Sequence, residues 1–75
     1  MRQKNQVIRN AIYNELLNAY PAFQTSSDIA HILGMPTHKA RYYLEDMYIR
    51  QGYPPKVVRI KYSIPRRRII YRAIP

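Results

Sequence analysis

The sequence contains no cysteine, so neither a disulfide nor a thiolate metal site can form within it. The first ten residues are polar and lack the apolar stretch of an export signal. No run of apolar residues approaches the length that spans a membrane. The sequence therefore predicts a protein of the reducing cytoplasm that has no membrane partner.

Acidic residues are scarce. There are four Asp and Glu residues against 13 Lys and Arg residues, which gives a formal net charge of +9. The excess is concentrated at one end, because residues 54–75 contain seven Lys and Arg residues and no acid. Each cation held near a phosphate releases a condensed counterion, so such a segment favours a polyanionic partner. The alternative is a solvated basic surface that only keeps the protein soluble.

The scarcity of acids and glycines also argues against catalysis. Asp28 is expected to cap a helix, and side chains of the neighbours Glu45 and Asp46 point about 100° apart on a helix. We expect these two acids to form a solvated patch turned away from phosphates. His31, expected to be half-buried, and His38, expected to be a polar contact, lie on different predicted helices. The sequence therefore predicts no enzyme, no cofactor and no metal site.

The chain length suits a single domain that spans all 75 residues. Its first part has apolar residues at helical spacing, and Pro21 ends this helix because the residue before a proline is disfavoured in helical geometry. Tyr13, Leu17 and Tyr20 broaden the apolar arc of the helix to one side. This arc is either buried in a small core or a surface for a second copy of the chain or a partner regulator.

Two further helices are predicted on either side of Gly34. Thr25 and Asp28 have the spacing of a capping box, in which two side chains bind the free backbone amides at a helix start. Gly34 suits a helix end, and Pro36 or Thr37 suits the start of the next helix. The predicted helices span residues 5–20, 27–33 and 37–50.

After Gly52 the apolar period changes from helical to alternating. In "VVRIKYSI" and again in "RRIIYRA", β-branched residues and tyrosines alternate with basic or polar residues, which is strand spacing. Pro65 lies between the two runs and favours a turn. We therefore predict strands over residues 57–64 and 67–74, and an α+β fold of three helices followed by a β-hairpin.

The second and third helices also have the pattern of a helix-turn-helix, in which closely crossing helices need small residues at their contact. Ala30, Gly34 and Ala40 provide them, and the buried side then continues through Tyr43, Leu44 and Met47. The exposed side of the third helix is polar and lies in the first turns, where a recognition helix meets base edges. Its residues are Thr37, His38, Lys39, Arg41 and Tyr42. Most of the eight tyrosines are expected to pack against the core with their hydroxyl groups at its rim, and Tyr42 is the expected exposed exception.

The framework of Ala30, Gly34, Ala40 and Leu44 resembles that of winged-helix DNA-binding proteins. Residues 25–53 resemble their helix-turn-helix, and residues 54–75 are similar to their wing. Overall the chain resembles small stand-alone winged-helix transcriptional regulators of fimbrial operons, phages and plasmids. One departure is Pro36, which stands where many relatives have a serine cap.

This resemblance implies sequence-specific binding of duplex DNA and regulation of transcription in the nucleoid. The third helix would enter the major groove, with Thr37, His38 and Arg41 at base edges and Lys39 and Tyr42 at phosphates. The wing would contact the backbone or minor groove through Arg59, Lys61, Arg66, Arg67 and Arg68. The alternatives are a winged-helix adaptor that binds another protein and a module that binds structured RNA by shape.

Overall fold

The structure is a computed structural model that describes residues 2–63 and 65–75. Within these residues there are three helices followed by one antiparallel pair of strands. The elements are α1 (Arg2–Ala19), α2 (Ser26–Leu33), α3 (Thr37–Arg50), β1 (Val57–Tyr62) and β2 (Arg68–Ala73). The predicted α+β order is confirmed, although α1 begins earlier and both strands are shorter than predicted. The predicted strand position Ile64 lies outside the described residues.

The apolar stripe of α1 faces the core. Ile12 and Leu16 are fully buried, and Tyr13 and Leu17 pack against the core from the side. The Tyr13 hydroxyl also donates a hydrogen bond to the Ile74 carbonyl oxygen at 3.1 Å. The broad arc of α1 is therefore used mainly for burial within the domain, which leaves a smaller surface there for a second chain than the sequence suggested.

The start and end of α2 are set by local hydrogen bonds. The Asp28 N–H donates to Thr25 Oγ1 at 3.1 Å, and the Thr25 N–H donates to Asp28 Oδ2 at 3.0 Å. This reciprocal pair confirms the predicted capping box. At the other end, Gly34 has a φ of 66°, and its N–H donates to the Ala30 carbonyl. Gly34 thus ends the helix in the left-handed conformation that glycine adopts without a steric penalty.

This conformation makes Gly34→Val a test of the turn. A Cβ added at Gly34 meets no described atom within 4 Å, so the cost comes from backbone strain rather than from a clash. We expect the free energy of unfolding to fall by about 1 kcal/mol or more, measured by thermal or urea denaturation. The matched control is Gly52→Val, where the added Cβ also meets no described atom but φ lies outside the left-handed region. Equal losses for both variants would contradict this account of the turn.

The predicted buried side of α3 is confirmed. Ala40 and Leu44 are fully buried, Tyr43 is 6% exposed, and Met47 packs against the core. They meet the buried residues of the other elements, which are Ile12, Leu16, Ile29, Ala30, Val57, Tyr71 and Ala73. The core therefore lies where α3 contacts α1, α2 and the hairpin at once.

The hairpin register decides which face of each strand is buried. Val57 pairs with Ala73 and Arg59 with Tyr71, and this face turns toward the helices, since Val57, Tyr71 and Ala73 are buried. Ile60 lies on the opposite face of the hairpin and is 38% exposed. The alternating pattern in β1 therefore predicts a strand correctly. The side of β1 that contains Val58, Ile60 and Tyr62 is the more apolar one, yet it faces away from the helices.

A short segment between α1 and α2 extends the hairpin. The Gln24 N–H donates to the Tyr71 carbonyl, and the Tyr71 N–H donates to the Gln24 carbonyl, both at 2.8 Å. Gln24 therefore pairs with β2 along the edge that β1 does not occupy. These two hydrogen bonds connect the entrance to α2 with the hairpin.

The prediction that most tyrosines pack against the core is wrong, because half of them are exposed. Only Tyr43 and Tyr71 are buried, while Tyr13 and Tyr48 are half-buried. The remaining four are exposed, namely Tyr20, Tyr42, Tyr53 and Tyr62. The helices and hairpin meet over so small a core that aliphatic side chains occupy most of it.

Candidate nucleic-acid interface

The polar residues predicted for the recognition helix lie together on the exposed part of α3. Thr37, His38, Lys39, Arg41 and Tyr42 are all exposed, and Tyr42 keeps 62% of its surface accessible. The Tyr42 ring packs edge-on against the ring of Tyr43, with 5.2 Å between the ring centroids. The buried Tyr43 ring therefore supports the exposed ring of Tyr42.

The start of α3 is electrostatically positive. Pro36 occupies the cap position, and the N–H groups of Lys39 and Ala40 donate to its carbonyl at 3.1 Å. The first turn contains no acidic residue. Because the unpaired amides at a helix start have a partial positive charge, they add to the charges of Lys39 and Arg41. This end of α3 is suited to an anionic partner.

The basic residues at the tip of the hairpin are also exposed. Lys61, Arg66, Arg67 and Arg68 surround the Pro65 turn, and none of these cations has an acidic partner among the described residues. Tyr62 pairs with Arg68 across the strands, and both side chains border a shallow pocket of about 260 Å³. The hairpin tip therefore presents uncompensated positive charge.

Arg59 differs from the other predicted wing contacts. It forms an ion pair with Glu45, its guanidinium lies 4.3 Å from the centroid of the Tyr48 ring, and its side chain is only 21% exposed. A phosphate contact would have to displace a carboxylate that is already in place. We therefore exclude Arg59 from the candidate interface and assign it to attachment of the hairpin.

Glu45 connects α3 to both strands. Its carboxylate accepts hydrogen bonds from Arg59 of β1 and from the Tyr71 hydroxyl of β2. Burial, together with the hydrogen bond to Glu45 and its negative charge, raises the pKa of the Tyr71 hydroxyl above its usual range, while Arg59 and Arg41 act in the opposite direction. Tyr71 therefore remains a protonated donor, and the hairpin is held against α3.

Asp46 connects α3 to α1 on another side. Its Oδ2 accepts from Arg9 Nη2, and its Oδ1 lies 2.9 Å from Arg50 Nε. The Asp46 side chain is 14% exposed and that of Glu45 is 25% exposed. The expectation of a solvated acidic patch is therefore wrong. Because successive helical residues differ by about 100°, one acid reaches the hairpin and the other reaches α1.

The position of Glu45 shows how the exposed face of α3 is placed relative to the hairpin. Arg41 and Glu45 are four residues apart, so they lie on the same side of the helix. Glu45 contacts the hairpin there, and the charge of Arg41 acts on the Tyr71 hydroxyl. Arg41 therefore lies on the side of α3 from which Glu45 reaches the hairpin.

Sequence reasoning missed Glu45, Asp46, Arg9 and Tyr71 as the residues that orient α3. Their contacts join positions 14, 26 and 37 residues apart along the chain. No spacing within a single helix or strand indicates such a contact. The only available signal was the presence of two adjacent acids in a strongly basic chain.

The predicted position of His31 is corrected, because this residue is exposed rather than half-buried. Within residues 2–63 and 65–75, no group of three acidic or histidine side chains is placed to hold a metal ion. No helix in the same residues combines the length and the apolar character needed to cross a membrane. Comparison with protein-family models, curated proteins and solved structures found no match to this chain.

Proposed function

We propose that this chain is a winged helix-turn-helix domain that binds duplex DNA sequence-specifically and regulates transcription. The main support is the distribution of charge on the fold. Glu45 and Asp46 are paired internally, whereas the cations of the first turns of α3 and of the hairpin tip are exposed and uncompensated. Two basic elements on one small domain suit a partner with regularly spaced phosphates.

In this proposal α3 lies in the major groove and the hairpin lies along the backbone or minor groove. Arg41, Thr37 and His38 contact base edges, because their side chains differ in length and donor pattern. Lys39 and Tyr42 contact phosphates beside them. The wing contacts are Lys61, Arg66, Arg67 and Arg68, which position the domain without selecting a sequence.

A selection from random duplex DNA, repeated at two salt concentrations, tests this function. A sequence-specific regulator enriches one motif at both concentrations, with weaker retention at the higher one because releasing counterions into more concentrated salt gains less entropy. Retention of duplexes without an enriched motif would contradict base reading. Failure to retain duplex DNA at either concentration would favour the protein adaptor, and preferential retention of folded RNA would favour the RNA-binding alternative.

Arg41→Ala tests the orientation of α3. Arginine pairs bidentately with guanine, so we expect binding to the selected site to weaken by about tenfold to a hundredfold. Preference at one or two base positions should relax at the same time. Fluorescence anisotropy with the selected duplex and a scrambled duplex measures both effects.

The control is Arg41→Lys, which retains the charge but loses the planar pair of donors. A base-reading role predicts that Lys restores affinity for the scrambled duplex but not the base preference. Equal losses on both duplexes for Arg41→Ala would make Arg41 a phosphate contact. Binding equal to that of the parent protein would show that this face of α3 does not meet the DNA.

A further inference from the structure

A groove of about 460 Å³ lies between α1 and α3. Arg9 and Tyr13 line it from α1, and Tyr42 and Arg50 line it from α3. Lys56, in the segment before β1, also borders it. We call this the basic groove. Arg66, Arg67 and Arg68, the exposed arginines of the hairpin tip, are not among its lining residues.

The basic groove attracts negative charge. Arg9, Arg50 and Lys56 line it, and Asp46 is the acid among its lining residues. Both Asp46 oxygens are already engaged, one by Arg9 and the other by Arg50. The Arg50 side chain is nevertheless 80% exposed, and Lys56 is exposed and has no acidic partner among the described residues. The groove therefore retains cations that can pair with an incoming carboxylate.

The shape of the groove limits the kind of ligand. A small-molecule site encloses most of its ligand, whereas this groove is partly open to solvent. A DNA duplex is too wide to enter the space between two packed helices. The α1 residues that line the groove extend from Gln6 to Tyr13, which is a rise of about 10 Å along the helix. About three residues of extended chain have the same length. An extended peptide segment fits these dimensions.

The remaining residues that line the groove suit a ligand in which apolar side chains lie between acidic ones. Met47 is half-buried and Val57 is buried, and the lining also includes Tyr13 from α1 and Tyr42 from α3. Tyrosine rings and methionine adapt to varied apolar groups, and a tyrosine hydroxyl can remain hydrated. The combination of cations and aromatic surface is therefore complementary to an acidic sequence that contains aliphatic residues.

We propose that the basic groove binds an extended, acidic segment of a partner protein. Carboxylates of that segment pair with Arg50 and Lys56, and its aliphatic side chains pack between Tyr13 and Tyr42. The proposal does not rest on DNA binding. It does place the partner next to Tyr42, which also belongs to the exposed face of α3, so an occupied groove would alter the surroundings of that face.

The probe is a synthetic peptide of alternating Glu and Leu, acetylated and amidated at its ends. We expect it to shift the amide resonances of the groove residues in two-dimensional NMR spectra of the full chain. The test variant is Arg50→Gln with Lys56→Gln, and the matched variant is Arg66→Gln with Arg67→Gln, which loses the same charge at the hairpin tip. The dissociation constant should rise about tenfold for the groove variant and change little for the matched one.

Two controls separate this site from general charge attraction and from the DNA interface. The same peptide with Gln in place of Glu should bind much more weakly. A DNA duplex is titrated into the same samples. The hairpin variant should bind the duplex more weakly than the parent protein does, and the groove variant should bind it about as well as the parent. Dispersed spectra of each variant show that it has folded.

The proposal is overturned if the peptide produces no shifts or if its shifts map to the hairpin tip. It is also overturned if both variants lose equal affinity for the peptide, since the attraction would then depend on net charge alone. If the groove variant loses duplex binding and the peptide does not bind, Arg50 and Lys56 contact DNA from the rim of the groove, and the proposal is likewise overturned. Failure of the duplex to bind at all would refute the proposed function while leaving the peptide result intact.

Discussion

Glu45→Ala is expected to lower the free energy of unfolding by about 2 to 3 kcal/mol, measured by urea denaturation. The substitution leaves two donors without their acceptor, because Arg59 and the Tyr71 hydroxyl both bind the Glu45 carboxylate. Tyr71 is 1% exposed, so water cannot easily replace the lost acceptor. Arg59 is better placed to recover some hydration, since its side chain is 21% exposed.

Three controls identify the cause of this loss. Glu15→Ala also removes a half-buried helical acid, but Glu15 has no ionic or hydrogen-bonding partner among the described residues, so it should change stability little. Glu45→Gln keeps an acceptor oxygen and should be less harmful than Glu45→Ala. Adding Tyr71→Phe to Glu45→Ala should cost less than the sum of the two single changes, because the orphaned hydroxyl is removed.

Equal losses for Glu15→Ala and Glu45→Ala would contradict the assigned role of Glu45. Strict additivity of Glu45→Ala and Tyr71→Phe would show that the two side chains do not interact in solution. Either result would show that Glu45 is not the main attachment between α3 and the hairpin.

Arg66→Ala with Arg67→Ala is expected to weaken binding to every duplex by about tenfold to a hundredfold at moderate salt. These arginines are exposed at the hairpin tip and have no acidic partner among the described residues, so their expected role is to neutralise phosphates. The slope of log K against log salt should become shallower by roughly 0.9 for each lost phosphate contact. The preferred motif should remain the same.

Titrations of the parent and the double variant against the selected and scrambled duplexes, at several salt concentrations, measure affinity and slope together. The matched control is Arg50→Ala with Lys56→Ala, which removes two exposed cations away from the hairpin tip. It should leave the slope nearly unchanged. An unchanged slope in the hairpin variant would exclude the wing from the interface, and an altered motif would make it a reader of the minor groove.

The features that the sequence by itself determined are those built from neighbours along the chain. Thr25 and Asp28 are three residues apart, so their mutual capping depends only on the geometry of one helical turn. Gly34 ends α2 because a residue without Cβ adopts a positive φ at little cost. The spacing of Ala40, Leu44 and Met47 likewise predicts the buried side of α3, since four residues separate side chains on one face.

The same local rules predicted the exposed residues of the candidate interface. Once the buried side of α3 is known, Arg41 and Tyr42 must point away from it, and both are exposed in the structure. The exposure of Arg66 and Arg67 follows from a turn at Pro65, because a turn between strands lies at the surface. Their contact with DNA stays a prediction.

Only the tertiary structure decided how Glu45, Asp46 and Arg59 are used. The alternating pattern of β1 predicts a strand, but by itself it would turn the apolar side with Val58, Ile60 and Tyr62 toward the core rather than the side with Arg59. The register of the hairpin turned Arg59 inward, where it meets Glu45. An inward arginine is stable there because a carboxylate from α3 neutralises it and the Tyr48 ring covers it. Such pairing depends on which helix packs over the strand, and that contact is formed only when distant segments fold together.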